Sequence, residues 1–519
     1  MALPTLQSLC QQQIINAMRM ERWDNCSENP FRSMPTKIVN TLVECLYSLP
    51  HKNSLSIEES FLLLTSGKIK RLDLRYFKIH KFDEDGRFFC KNICALYYIL
   101  FNKVNYQKKL REQRYKRAKL YHDASEANNT LLDMVSKDSC QNLHMLILPP
   151  FLNFDTSTIV SLIQASPNIE EIHASANIEE IYASNGFDLE VLRNCKELRN
   201  LRLHLDIIKF FGDCPDIVVN LLSSLENLET LAVFADLCDS FDYYQLIAKV
   251  LLVCPNLISL GLVDSSLALD HIHKEKGIPI QFKLKRCFWG LGSRGKIFYL
   301  SQSNNVPIFR KFPNVIETAS AMCPLVEELS IQLFHSDSLQ HLSLLKRLMT
   351  LDLCFVHLNS FYSASFDSFL KEVGHQIKHL SITVMGIGYY KVSISAICNL
   401  CVTLETLKIN NSVTIDGAVE VCVSPHLKRL CINIADNNCL VFLLENCPNL
   451  EELYLTSMLE RSLLQIALRK NPLVKLRILW LNHYIPSEDI KLYCTGQRIL
   501  KKCIFLIKQR SLKCNVLVF

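Results

Sequence analysis

The sequence predicts an α/β solenoid, because three observations indicate one short strand and one helix repeated along the 519 residues. A nine-residue template, clearest from Cys447 to Leu455 as Cys-Pro-Asn-Leu-Glu-Glu-Leu-Tyr-Leu, recurs along the chain. The first apolar residues of successive copies are mostly 22 to 30 residues apart. Stretches before the template, such as 244–253 and 438–446, read as helices. A repeat of this length predicts a stack of units around one continuous core.

The template explains which side chains are buried. Its last two apolar residues alternate along a short strand, so they face one side of a sheet and are buried only when repeats stack. Copies that begin with cysteine start at Cys140, Cys195, Cys254, Cys323, Cys401 and Cys447. Copies without it start at Ser166, Leu225, Leu345, Gly374 and Ser424, with looser ones at Ile69 and Leu476. Cysteine suits the tight end of each helix as a small buried apolar residue.

This repeat resembles the cysteine-containing subtype of leucine-rich repeat, over roughly residues 60–485. The resemblance implies a leucine-rich-repeat solenoid, a horseshoe, with domain bounds near 51–485. The subtype is common in substrate receptors of cullin-type ubiquitin ligases. Residues 486–519 are then expected to form a C-terminal cap, because terminal repeats need covering.

Two intervals are too long for one repeat. One step of 69 residues leaves the stretch 264–322 as two degenerate repeats or an insertion, with His271 and His273 in a loop. Another of 74 residues holds a basic insertion at 103–119, with eight basic residues and one acid, Glu112. RNA contact, nuclear import or an acidic partner are alternatives for this segment, but a solvated helix or inserted loop is the interpretation we favour.

A short all-α docking module is predicted at residues 1–50, beginning with one amphipathic helix. Leu6, Cys10 and Ile14 recur every four residues and form one apolar stripe, while Thr5 is placed to cap the helix N-terminus. A short helix with a narrow apolar face is not stable alone. It is therefore expected to lie on the solenoid or in a partner's groove.

A second helix is predicted downstream on the same logic. Pro35 fits its first turn, and Met34, Ile38, Leu42 and Leu46 are expected to fall on one face. A polar linker of roughly residues 19–33 joins the two helices.

These two patterns resemble the docking motifs of ubiquitin ligase receptors. Thr-Leu-x-x-x-Cys-x-x-x-Ile at 5–14 resembles the elongin B/C-binding box, and apolar-Pro-x-x-apolar-x-x-x-apolar at 34–42 resembles the adjoining cullin-2 box. In this order they resemble the VHL box of cullin-2 substrate receptors. The resemblance implies that Thr5, Leu6, Cys10 and Ile14 bind elongin B/C, with Cys10 where only a small side chain fits. It implies that Met34, Pro35, Ile38 and Leu42 bind the cullin.

A VHL box ahead of leucine-rich repeats resembles the Zyg-eleven-like receptors. Those receptors add a C-terminal armadillo domain, for which these 519 residues leave no length after residue 485. A substrate bound by that domain is therefore not carried over to this chain.

Two alternatives to the VHL box stay open. Residues 34–46 also resemble the start of an F-box, which implies a Skp-type adaptor and cullin-1. The tryptophan that usually closes an F-box is absent, because the three tryptophans are Trp23, Trp289 and Trp480. The second alternative is a leucine-rich-repeat scaffold without a ligase link, in which both helices only cap the solenoid.

Composition and motifs argue against other functional classes. The net charge of +6 does not by itself predict nucleic-acid binding. We expect no export signal and no membrane span, which implies a reducing cytosol or nucleus and free thiols. Cys398 and Cys401 form a lone Cys-x-x-Cys pair, so no metal site is predicted, and no cofactor motif occurs. The chain is expected to be a non-catalytic subunit whose chemistry a ligase partner supplies.

Substrate recognition is expected on the strand positions that face away from the leucines. On consecutive repeats near the C-terminal end these positions include Lys408, Arg429, Glu452, Tyr454 and Trp480. Arginine, tyrosine and tryptophan are typical of the residues that dominate binding energy at interfaces. Protein substrates are therefore predicted to bind here, although Trp480 has the alternative of packing under the C-terminal segment.

Overall fold

The computed structural model divides the chain into two compact units, unit 1 at Met1–Asp236 and unit 2 at Leu237–Phe519. The residues it describes are 6–20, 29–49, 57–64, 66–73, 140–148, 156–174, 189–203, 215–233, 244–277, 280–290, 307–333, 338–356, 363–385, 393–410, 424–433, 437–455, 470–471 and 473–481. The predicted basic insertion and C-terminal cap lie outside them.

Unit 1 is a ladder of parallel strands in chain order, preceded by helices. The strands are β1 (Arg71–Asp73), β2 (Met145–Leu148), β3 (Glu171–Ala174), β4 (Asn200–Leu203) and β5 (Thr230–Val233). The helices are α1 (Leu6–Arg19), α2 (Thr36–Tyr47), α3 (Ile57–Leu64), α4 (Thr156–Gln164) and α5 (Pro215–Ser223), with 3₁₀ turns at Cys140–Asn142 and Leu189–Asn194. Among the described residues, a helix or 3₁₀ turn comes before each of these strands.

Unit 2 continues the same plan, again with parallel strands in chain order. Its strands are β6 (Ser259–Gly261), β7 (Arg286–Trp289), β8 (Glu328–Leu333), β9 (Thr350–Val356), β10 (His379–Met385), β11 (Thr406–Asn410), β12 (Arg429–Asn433), β13 (Glu452–Leu455) and β14 (Ile478–Leu481). Its helices are α6 (Tyr244–Val253), α7 (Ser265–Lys276), α8 (Pro307–Met322), α9 (Ser338–His341), α10 (Ser363–Val373), α11 (Ile394–Leu400) and α12 (Asn437–Asn446), with 3₁₀ turns at Leu342–Leu344 and Gly374–Gln376.

The core consists of the predicted leucine positions. In β11 the side chains of Leu407 and Ile409 are buried and Lys408 between them is exposed. The register pairs Leu407 with Leu430 of β12, so the same position of neighbouring repeats stacks in one layer. Each fully buried large side chain contributes ~1.5–3 kcal/mol to the stack. The α/β leucine-rich-repeat solenoid predicted from the sequence is therefore confirmed in each unit.

The template cysteines lie where the helices end. Cys195, Cys254, Cys323, Cys401 and Cys447 are all buried free thiols. Burial raises the pKa of the Cys254 thiol to about 11 and that of Cys401 to about 12. These thiols are therefore protonated at neutral pH and act as small apolar groups in the core.

Asparagine side chains join several pairs of consecutive repeats at the turn before the strand. Asn168 Nδ2 donates to the carbonyl oxygen of Gln141 at 2.7 Å, and Asn227 Nδ2 donates to that of Lys196 at 3.1 Å. In unit 2, Asn449 makes the same bond to the repeat before it. Each of these asparagines stands directly before the first apolar residue of its template. In each of these repeats the asparagine thus satisfies a turn carbonyl that the stack would otherwise leave unpaired.

The stretch 264–322 contains a repeat strand that the template did not find. β7 pairs with both β6 and β8, and its inward positions hold Cys287 and Trp289 in place of leucines. The prediction of an insertion loop at His271 and His273 was wrong, because both lie in α7. Two i,i+4 pairs, such as Lys274 with Asp270, support that helix.

Candidate protein-interaction surfaces

Helix α1 contacts α2 and α3. Ile15 and Met18 are buried, Ile14 is half-buried and Cys10 is exposed. Leu6 is the first residue of the helix, and Thr5 lies outside the described residues. The predicted adaptor stripe is therefore only partly engaged within the chain, and its Cys10 position is open.

Helix α2 buries only part of the face that was predicted, namely Leu42 and Leu46. The buried side chains are Val39, Leu42, Val43, Leu46 and Tyr47, which follow a three-and-four spacing. Ile38, placed on that face by the sequence, is 46% exposed instead. The prediction of one face through Met34, Ile38, Leu42 and Leu46 was wrong, because a strict four-residue step drifts around a helix of 3.6 residues per turn.

The predicted cullin-contact residues therefore divide into two groups. Pro35 and Ile38 are exposed and Met34 is half-buried, so these three are accessible from outside the chain. Leu42 is 1% exposed and is a core residue of the module. Its side chain is therefore not available to a partner.

Two side chains of α2 pair with the outer edge of β1 and the residues before it. Asn40 Nδ2 donates to the Lys68 carbonyl at 2.9 Å, and the Lys70 N–H donates to Asn40 Oδ1 at 2.8 Å. The Tyr47 hydroxyl donates to the Arg71 carbonyl and accepts from the Asp73 N–H, both at 2.9 Å. An open strand edge presents unpaired backbone groups. Helix α2 thus covers the edge of the first repeat with side-chain hydrogen bonds.

The predicted substrate-binding residues of unit 2 form a connected group on β12 and β13. Arg429 donates to both carboxylate oxygens of Glu452, with 3.0 Å from its Nη2 to Oε1, and the Tyr454 hydroxyl donates to Oε2 at 3.2 Å. The Arg429 hydrogen bonds hold the pKa of Glu452 below its usual range. Burial, followed by the charge of Glu452, raises the pKa of Tyr454. A bidentate arginine–carboxylate pair fixes these side chains in one geometry.

Lys408 lies on the same open face of the sheet, one strand before this group. The register places it between Ser381 of β10 and Cys431 of β12, two short side chains. Tyr454 and Trp480 follow at the same position on β13 and β14. The structure therefore aligns Lys408, Tyr454 and Trp480 along one row of the sheet.

The sequence prediction missed a group of charges beside this row, at the starts of β10, β11 and β12. Lys428 Nζ donates to Glu405 Oε2 at 2.9 Å, and Lys378 and His379 also act on that carboxylate. The hydrogen bond from Lys428 is the largest cause of the lowered pKa of Glu405. The available signal was the alternation of basic and acidic residues directly before the strands, as in Lys378, Glu405 and Lys428.

Metal and membrane sites have no counterpart in the part of the chain that is described. No group of three or more His, Cys, Asp or Glu side chains there is arranged to hold a metal ion. None of the helices in the described ranges combines the length and the apolar character that a bilayer span requires.

Comparison with known proteins gives solved structures only. No protein-family model matches the sequence, and no curated protein matches it. One similar structure is a chain of the crystal structure of the Rad7 and Elc1 complex in yeast, with 13% identity, 91% of this chain and 92% of that chain covered, and a TM-score of 0.41. A chain of the TLR13–ssRNA13 complex has 14% identity, with 69% and 57% covered and a TM-score of 0.29. At these values neither likeness bears on the function of this chain.

Proposed function

We propose that the chain is a non-catalytic substrate receptor of an elongin B/C–cullin-2 type ubiquitin ligase. The observation that carries the proposal is the exposure of motif residues on two consecutive helices. Cys10 on α1 and residues 35–38 at the start of α2 are exposed, while Ile15 and Met18 of α1 and the stripe from Val39 to Tyr47 of α2 are buried. An apolar side chain such as Ile38 at 46% exposure, on a helix anchored by a neighbouring buried stripe, is suited to a partner's groove.

In this proposal the two helices have separate partners. The N-terminal half of α1, with Leu6, Cys10 and Ile14, docks on elongin B/C, and Ile15 and Met18 hold the helix on the chain. Met34, Pro35 and Ile38 contact the cullin. Leu42 is left out of the contact because it is buried.

The leucine-rich repeats hold the protein substrate, and the ligase partners carry out the reaction. The rate gain comes from proximity, because a substrate lysine is kept near a ubiquitin-conjugating enzyme that carries activated ubiquitin. This role needs no cofactor and no catalytic residue in the chain itself. The site of action in this proposal is the cytosol, the nucleus or both.

The adaptor contact is tested by substitution on α1. We expect the double variant Leu6→Ala, Cys10→Phe to lose elongin B/C in co-purification, because a bulky ring replaces the exposed small side chain. Gln12→Phe is the matched control, since it adds the same ring at an exposed position of the same helix on the side away from the stripe. On α2, Ile38→Asp should lose the cullin while keeping elongin, with Lys37→Asp as its exposed control.

Two results would decide against this proposal. If the Leu6, Cys10 double variant co-purifies with elongin B/C as the unchanged protein does, the proposed contact of α1 with the adaptor is wrong. Recovery of a Skp-type adaptor with cullin-1 in place of elongin B/C supports the F-box alternative. Thermal denaturation of each variant separates loss of a contact from loss of the fold.

A second candidate function has one observation in its favour. Asn40 and Tyr47 cover the edge of the first repeat, which is what a purely structural cap does. A leucine-rich-repeat scaffold without a ligase link accounts for those contacts equally well. It predicts that no cullin of any type co-purifies, and it leaves the exposure of Ile38 without a role.

A further inference from the structure

We infer that the open strand face of β10–β13 binds an acidic, extended segment of a protein partner. The basic patch that carries this inference consists of Lys378, His379, Lys408, Lys428 and Arg429. The inference rests on the proposed function only in naming that segment as part of the ubiquitination substrate. The binding itself belongs to unit 2, whereas the proposed adaptor helices belong to unit 1.

The basic patch has more positive than negative charge. Glu405 is shared by Lys428, Lys378 and His379, and Glu452 is paired with Arg429. Lys428 and Arg429 are thus matched by carboxylates, while Lys378 and His379 act on a carboxylate that already has a partner. An added carboxylate from another chain is the group that this surplus attracts.

Lys408 is the point of contact that the geometry favours. Its side chain is exposed, and it has no hydrogen bond or ion pair with the described residues. Its row neighbours Ser381 and Cys431 are short, so a carboxylate can approach the ammonium group from the open face. A single charge-assisted hydrogen bond at such a site contributes more than a neutral one.

The spacing of the patch suits an extended chain. Lys408 lies two residues along β11 from Thr406, whose register partners are His379 and Arg429. Alternate side chains of an extended segment are ~6.6–6.8 Å apart, which is the same two-residue step. A segment lying along the strand direction can therefore bring one acidic side chain to Lys408 and another to the strand starts.

A protein segment fits this surface better than a nucleic acid. Nucleic-acid binding faces present rows of cations to regularly spaced phosphates. Here Glu405 and Glu452 stand between the cations and would repel a continuous phosphate backbone. Separate acidic side chains can approach the individual cations and avoid both glutamates.

The test uses the full-length protein and a fluorescent oligoglutamate peptide, with binding measured by anisotropy. We expect binding that weakens as salt is added, because the contact is electrostatic. Lys408→Gln should weaken it about tenfold, which corresponds to losing one charged hydrogen bond. Lys408→Arg keeps the charge and should retain binding. Lys371→Gln, which removes an exposed lysine from α10, should also bind as the unchanged protein does.

Three outcomes would overturn the inference. They are equal binding by Lys408→Gln and the unchanged protein, equal losses for Lys408→Gln and Lys371→Gln, and tighter binding of a single-stranded oligouridylate than of oligoglutamate. Elongin co-purification by Lys408→Gln is measured alongside and should be unaffected. If Lys408→Gln binds the peptide as the unchanged protein does but still co-purifies with elongin, this inference fails and the proposed function is unaffected. If the α1 variants lose elongin but still bind the peptide, the inference about the basic patch is unaffected.

Discussion

The outer edge of β1 is covered by side chains of the same chain, whereas the open face of β11–β13 is accessible. At β1, side chains from α2 pair with the exposed backbone groups, and the Tyr47 hydroxyl alone bonds to two residues of the strand. On β11–β13 the side chains bond mainly to each other, as Arg429 does to Glu452, and Lys408 stays open. Repeats of the same type thus present a covered strand edge in unit 1 and an accessible strand face in unit 2.

The difference shows where function can reside in a repeat stack. Backbone groups at an edge must be satisfied for the stack to end, so the residues that do this are committed to stability. Side chains on the open face do not have to satisfy backbone groups, because the strands there are paired with one another and the leucines on the other side of the sheet are buried in the core. Substitutions at the edge should therefore change the free energy of unfolding, and substitutions on the face should change binding.

The largest expected effect is at a core side chain of α2. Leu42→Ala should lower the free energy of unfolding by ~2–5 kcal/mol, because it removes a fully buried side chain and leaves a cavity. Ile38→Ala on the same helix should change it by less than about 0.5 kcal/mol, since Ile38 is exposed. Urea denaturation of both variants measures the two values. Similar losses for both would contradict the buried stripe described for α2.

The strands were the most predictable part of the fold. Their alternation of apolar and polar residues has a period of two, and both inward positions are leucine-like in most copies. β7 was missed because Cys287 and Trp289 fill those positions, and neither side chain matches a leucine template. Only Leu42 and Leu46 of the predicted α2 face are buried, because a strict four-residue step drifts around the helix and leaves Ile38 outside the buried stripe.

The candidate site was predictable only in part. Lys408, Arg429, Glu452 and Tyr454 follow from strand alternation alone, since the template gives their positions. The hydrogen bond from Lys428 to Glu405, and the effect of the Lys378 charge on the same carboxylate, did not follow, because the two lysines are distant in sequence. Only the register of β10, β11 and β12 brings them to Glu405. No single-repeat pattern contains that information.

A comparison of two tyrosines sharpens the contrast between edge and face. Tyr47→Phe should lower the free energy of unfolding by about 1–3 kcal/mol, because it leaves the Asp73 N–H and the Arg71 carbonyl without their side-chain partner. Burial raises the pKa of Tyr47, so its hydroxyl is protonated and able to donate under all ordinary conditions. Tyr454→Phe removes one bond to a carboxylate on the open face and should cost less than about 1 kcal/mol. Equal losses of unfolding free energy in the two variants, measured by urea denaturation, would contradict the distinction between the strand edge and the open face.

The smallest expected effect is a pH dependence carried by Glu452. Its folded-state pKa is lowered by Arg429, so its contribution is fully present above the unfolded pKa of roughly 4.3 and is lost as pH falls through the folded value. Because the pair is partly exposed, that contribution should stay below about 1 kcal/mol. Glu452→Gln should therefore be less stable than the unchanged chain near neutral pH, and the difference should shrink in acid. Urea denaturation across this range measures it, with Glu372→Gln on α10 as an exposed control. A difference that stays constant with pH would show that the Arg429–Glu452 pair does not stabilise the open face through its charge.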